Sequence, residues 1–130
     1  MIYLDNSATT NPKPQVVKNA VSKAMNYYSF NSGRGGYKES VNTSNMIFTV
    51  REKIADMFSF LPQNIAFVPN CTFALNYAIK GIAKPGDHFI ISNLEHNAVV
   101  RPIYSLYEKG IISYDEAKFS YDKEETINNF

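Results

Sequence analysis

The chain has 130 residues, of which 45% are hydrophobic and 19% charged, with 13 Lys and Arg against 12 Asp and Glu. That length suits one domain with its own core, and a net charge of +1 gives no field to draw nucleic acid or an anionic membrane, so neither is an expected partner. A single cysteine, Cys71, excludes an internal disulfide and a cysteine zinc cluster, so no metal site is expected. No apolar run approaches the ~20 residues of a bilayer span. MIYLDNSATT lacks the pattern of a secretory signal, which leaves the cytoplasm as the expected compartment.

Residues 1–13 read as an extended arm, Ile2-Tyr3-Leu4 followed by turn chemistry through Asn11-Pro12. Pro14 suits the first turn of a helix. Val16, Val17, Ala20, Val21 and Ala24 then recur at helical spacing, which predicts an amphipathic helix over 14–28. The stretch 29–38, SFNSGRGGYK, is a loop with three glycines around Arg34. A second helix is predicted over 39–58, with Ile47, Val50, Ile54, Met57 and Phe58 on one face.

Pro62 ends that pattern. Ile65-Ala66-Phe67-Val68 suits a short buried strand, Pro69-Asn70-Cys71-Thr72 a turn, and Phe73 to Ile82 a helix closed by Gly81 and the turn Lys84-Pro85-Gly86-Asp87. His88 to Ser92 is the next predicted strand, with 93–97 as its exit loop. Val99 to Lys109 is predicted helical, with Pro102 tolerable only in a first turn and Gly110 as the stop. Ile111-Ile112 and Ala117 to Tyr121 are further strand candidates, and 122–130 reads as the start of a helix. The order strand, helix, strand, helix, strand after residue 60 predicts an α/β fold, its parallel strands joined by right-handed crossovers. Ligands bind at the carboxyl ends of such strands, so the turns 69–72 and 93–97 should face one crevice.

Three places can carry chemistry, and each has a plain structural alternative. At 70–72 a helix opens, and its first amides can hold a phosphate with help from the Thr72 hydroxyl; alternatively Asn70 or Thr72 simply caps the helix. In Gly33-Arg34-Gly35-Gly36 the guanidinium offers a forked donor for a carboxylate or phosphate; alternatively the loop is a flexible connector. No Gly-Lys-Ser/Thr follows it, so it is not a P-loop. His96 can stack on a flat heteroaromatic ring or relay a proton near neutral pH; alternatively it is a solvated loop histidine. His88 begins a strand just after a turn and is assigned to the surface.

Taken together, YLDNSATT, NSGRGGY, FVPNCTFALNYAIKG and EHNAVVRP occur in this order along nearly the whole chain. In this the chain resembles the N-terminal part of the cysteine desulfurase branch of the class V aminotransferases, fold-type I pyridoxal-phosphate enzymes. The resemblance implies a partial large domain of that fold over 14–130, a mostly parallel sheet with flanking helices, preceded by the arm 1–13. It implies that Cys71 and Thr72 bind the cofactor phosphate and that His96 stacks on its pyridine ring. It also implies that Asn6, Ser7 and Ala8 line the substrate pocket, and that the loop carrying Arg34 lies near the active site and the dimer interface.

Phe73 stands where many relatives carry Glu, and Cys71 where Thr or Ala is frequent. Cys71 is not the persulfide-forming thiol, which lies far toward the C-terminus in that family. No lysine here stands in the serine-x-histidine-lysine context of the Schiff-base residue. No catalytic residue is therefore assigned, and this stretch is expected to be inactive by itself. In a full-length relative, sulfur would pass from L-cysteine to the enzyme thiol, leaving alanine. Two other readings stay open: part of a class V aminotransferase or other pyridoxal-phosphate lyase, or an inert piece that only self-associates, with a homodimer as the implied assembly.

Overall fold

The computed structural model describes residues 2–7 and 9–129 and divides into two compact units, Met1–Ala66 and Phe67–Phe130. The boundary falls inside the apolar run 65–68.

The first unit contains α1 (Gln15–Tyr27), α2 (Lys38–Phe58) and a 3-10 turn at Pro62–Asn64 that packs on α2. Pro14 precedes α1, and the amides of Val17 and Lys18 bond to its carbonyl. The valine stripe expected to face a core is instead open: α1 buries none of its residues, and Val16 is 72% and Met25 70% exposed. The face expected on α2 differs as well. Its buried positions are Ser40, Thr43 and Ala55, while Met57 and Phe58 are exposed. Helical periodicity requires only an apolar stripe; burying it takes a second layer. α2 ends at Ser59, whose left-handed backbone (φ 56) lets its amide and that of Phe60 bond back to the last carbonyls.

The second unit has the order α3 (Cys71–Ile82), β1 (His88–Ser92), α4 (Asn97–Glu108), β2 (Ser113–Ala117) and α5 (Lys123–Asn128). β1 and β2 pair in parallel from His88↔Ser113 to Ser92↔Ala117, with α4 as the crossover. α3 and α4 pack together. The core is Ile79 of α3, Ile91 of β1, Ile103 and Leu106 of α4 and Ile112, with Leu75, Phe89, Val99 and Tyr114 packed around it. The opposite side of β1 is open, with Ile90 56% exposed.

The fold is thus mixed α/β and mostly helical, with two parallel strands among the described residues in place of the expected larger sheet. Ile65 has extended backbone (φ −98, ψ 123), but 65–68 does not join the sheet. A strand exists through its ladder, and propensity alone does not supply a partner. Three smaller expectations also shift. β2 lies at Ser113–Ala117, between the two segments proposed for it. Gly81 lies inside α3, which ends at Ile82. α4 starts at Asn97, so the buried Pro102 sits in its second turn, and its ring removes the amide that would have reached the Ala98 carbonyl. No helix among the described residues is long and apolar enough to cross a membrane.

Candidate functional site: two helix starts

The turn before α3 resolves the choice left open at 70–72. Asn70 is the cap: its backbone is extended, and its side-chain oxygen accepts from the Phe73 amide at 3.0 Å. The Ala74 amide bonds to the Asn70 carbonyl at 3.1 Å. The amides of Cys71 and Thr72 have no acceptor among the described residues, and neither does the Thr72 hydroxyl. Both residues are exposed, and the first turn of α3 carries no acidic side chain to repel an anion. Two N–H groups without an acceptor among the described residues, at the positive end of a helix dipole and beside a hydroxyl, are chemically suited to an anion. From Thr72 an open groove of about 610 Å³ runs along α3, lined by Phe73, Asn76, Tyr77, Lys80 and Gly81. Phe73 and Tyr77 meet edge to face, with ring centroids 6.0 Å apart.

His96 turns out to be neither a free loop residue nor an unsupported ring. It is the N-cap of α4: its backbone is extended (φ −71, ψ 150), and its Nδ1 accepts from the Ala98 amide at 3.1 Å. The ring itself is exposed. Before it, the Glu95 carboxylate accepts from the Ser92 hydroxyl at 2.9 Å, and the Asn93 amide bonds to the Ala117 carbonyl at 3.0 Å. These bonds tie the loop after β1 to the end of the sheet, where its parallel strands present their carboxyl ends. This capping role goes beyond the roles expected of His96 from its residue type.

A pair of titratable side chains also meets at the opposite end of the strands. His88 Nδ1 lies 2.8 Å from the Ser113 hydroxyl, and Nε2 lies 3.2 Å from an Asp115 carboxylate oxygen. This cross-strand clamp is exposed, as expected of His88 at the surface.

In the first unit, the glycine loop is held rather than slack. The buried Ser40 hydroxyl stands 2.7 Å from the Asn31 carbonyl and 2.9 Å from that of Gly35, sharing its one proton between them. Ser44 donates to the Ser32 carbonyl at 2.7 Å, and the Gly33 amide donates to the Asn31 side chain at 2.9 Å. A Cβ at Gly35 would stand 2.4 Å from a ring carbon of Tyr37, so glycine there lets the Tyr37 ring pack closely over the loop. The anchored loop leaves Arg34 exposed, with no partner among the described residues. In the arm, Asn6 is engaged by its own turn: its amide donates to the Tyr3 carbonyl at 3.2 Å and its oxygen accepts from Asn11 at 3.4 Å. Ser7 is exposed, and Ala8 lies outside the described residues.

Residues 2–128 match the aminotransferase class-V family model. The chain is 31% identical over 111 residues to a probable cysteine desulfurase of Methanothermobacter thermautotrophicus, covering 85% of this chain and 28% of that protein. It is 34% identical over 114 residues to the cysteine desulfurase IscS of Vibrio campbellii, covering 84% and 28%. The apo structure of a cysteine desulfurase from Thermococcus onnurineus superposes with a TM-score of 0.81 at 25% identity, over 92% of this chain and 30% of that one. The chain therefore spans about 28% of the length of the curated relatives it matches. With a family match along nearly its whole length and relatives that are cysteine desulfurases, this chain belongs to the aminotransferase class-V family.

Proposed function

We propose that this chain forms the cofactor-holding part of a pyridoxal-phosphate-dependent cysteine desulfurase. The observation that carries the reading is the pair of unpartnered amides at Cys71 and Thr72, beside the free Thr72 hydroxyl, at the capped start of α3. Pyridoxal phosphate is the cofactor of the family. The residues present fit its phosphate, because the amides carry partial positive charge and no carboxylate competes in that turn. They also fit its ring, because His96 is held by a backbone bond and still exposed.

In this reading the Cys71 and Thr72 amides and the Thr72 hydroxyl bind the phosphate and set the depth of the ring. His96 covers one face of it and excludes water from that side. When bound, the cofactor supplies an electron-withdrawing ring that weakens bonds in an attached amino acid. Asn6, Ser7 and Arg34 are assigned to the amino acid substrate by family resemblance. Arg34 is suited to a carboxylate through its forked donor, whereas Asn6 brings only the hydrogen-bonding capacity its own turn leaves free. L-cysteine is the proposed substrate of the complete enzyme and a homodimer its assembly. The proposed organisation is an arm over 1–13 followed by the N-terminal part of the large domain over 14–130.

The test uses pyridoxine 5′-phosphate, which keeps the ring and phosphate but has no aldehyde to react with surface lysines. NMR titration should move the Cys71 and Thr72 amides and the His96 ring, and pyridoxine without phosphate should leave the two amides still. Thr72→Ala should weaken binding by about 0.5–1.5 kcal/mol, the net worth of one hydrogen bond. Equal affinities would remove the hydroxyl from the site. A ligand that leaves Cys71 and Thr72 unmoved would sink the reading.

A further inference from the structure

We infer that the backbone amide of Ala98 sets the protonation pattern of His96, so that the ring presents Nε2–H to its ligand and keeps Nδ1 turned away as an acceptor. The bond runs from the Ala98 amide to Nδ1 at 3.1 Å. A backbone amide can only donate, so the nitrogen it meets must hold a lone pair, and the ring proton of the neutral form then sits on Nε2. The alternative form would set two N–H groups against each other and leave the Ala98 amide without a partner. Ala98 is buried, so water cannot readily replace the lost bond.

His96 thus presents one donor, Nε2–H, and any proton it exchanges with a bound ligand passes at that nitrogen. In this geometry Ala98 is the positioning residue, acting through its backbone. The functional part rests on the cofactor reading above; the hydrogen-bond lock does not.

The experiment is ¹⁵N NMR on the full chain carrying His88→Gln, which leaves His96 as the sole imidazole. The expected result is a pyridine-like Nδ1, a pyrrole-like Nε2 and a coupling across the hydrogen bond between the Ala98 amide nitrogen and Nδ1. Ala98→Pro deletes the donor and should abolish the coupling and let the two neutral forms mix as in free histidine. Because that variant can also disturb α4, the parent chain decides the matter alone. A proton found on Nδ1, or no coupling together with averaged ring signals, overturns the lock. Adding pyridoxine 5′-phosphate should then shift Nε2 and spare Nδ1. A locked ring that ignores the ligand supports the hydrogen-bond assignment and counts instead against the cofactor reading.

Discussion

The two halves of this chain use similar helices to different ends. In the second unit, an isoleucine from α3, one from β1 and two aliphatic residues from α4 meet in one cluster. In the first, α1 and α2 are well-formed helices whose apolar stripes stay largely open, and the residues α2 buries are a serine, a threonine and an alanine. The contrast arises from connectivity. A strand, a crossover helix and a second parallel strand close a core within about 30 residues. Two helices joined by a glycine loop need a further layer to bury their stripes. Helix formation and apolar burial are therefore separate properties, and among the described residues it is the second unit that joins them in an aliphatic cluster.

Truncating a side chain in each half is the most direct way to break this comparison. Ile103→Ala, at a position 1% exposed, should cost about 2–5 kcal/mol. Val21→Ala, at a position 54% exposed, should stay within about 0.5 kcal/mol. Denaturant unfolding followed at amides in each unit reads both values; a large loss at Val21 would mean that α1 is covered after all. Next in size is Ser40→Ala, which strands two carbonyls of the glycine loop and should cost about 1–3 kcal/mol. Faster amide exchange over 31–36 is the signature, and unchanged exchange would show that Ser44 alone anchors the loop. Asn70→Ala should cost about 1 kcal/mol and fray the start of α3, while Asn70→Asp should keep the cap yet repel a phosphate at Cys71 and Thr72. If both variants bound the phosphorylated ligand like the parent, α3 would not be the anion site.

The smallest effect concerns α4. The Glu108 carboxylate accepts a hydrogen bond from the Tyr104 phenol and opposes its ionisation by like charge, so that phenol titrates above its ordinary value. Glu108→Gln removes the charge, and the Tyr104 titration should move down toward that of an ordinary tyrosine. A ¹³C NMR titration of the ring would detect it; no movement would take Glu108 out of the causes and leave desolvation and the neighbouring Tyr114 and Tyr107.

Much of the local structure can be read from residues near one another in the chain. The β1 boundaries, the helices within a residue or two at most ends, and the turn at Lys84 to Asp87 follow from spacing, prolines and polar breaks. Family membership was also legible, because the four motif stretches carry it in order. The choice between Asn70 and Thr72 as cap was not, since both residue types accept amide bonds and only backbone dihedrals separate them. The capping by His96 was hidden too, because a histidine before a helix is an uncommon cap and the bond depends on the ring's rotamer.

The amino-acid order by itself determined where the helices lie to within a residue or two, where the β1 strand runs, and which family this stretch belongs to. These depend on contacts between near neighbours and on motifs preserved in sequence. Tertiary structure alone decided that 65–68 stays out of the sheet and that the stripe on α1 faces outward. Each of these depends on whether a distant partner comes within bonding distance. Periodicity marks a surface as fit for burial, but a ladder or a core exists only when a second element supplies the other half.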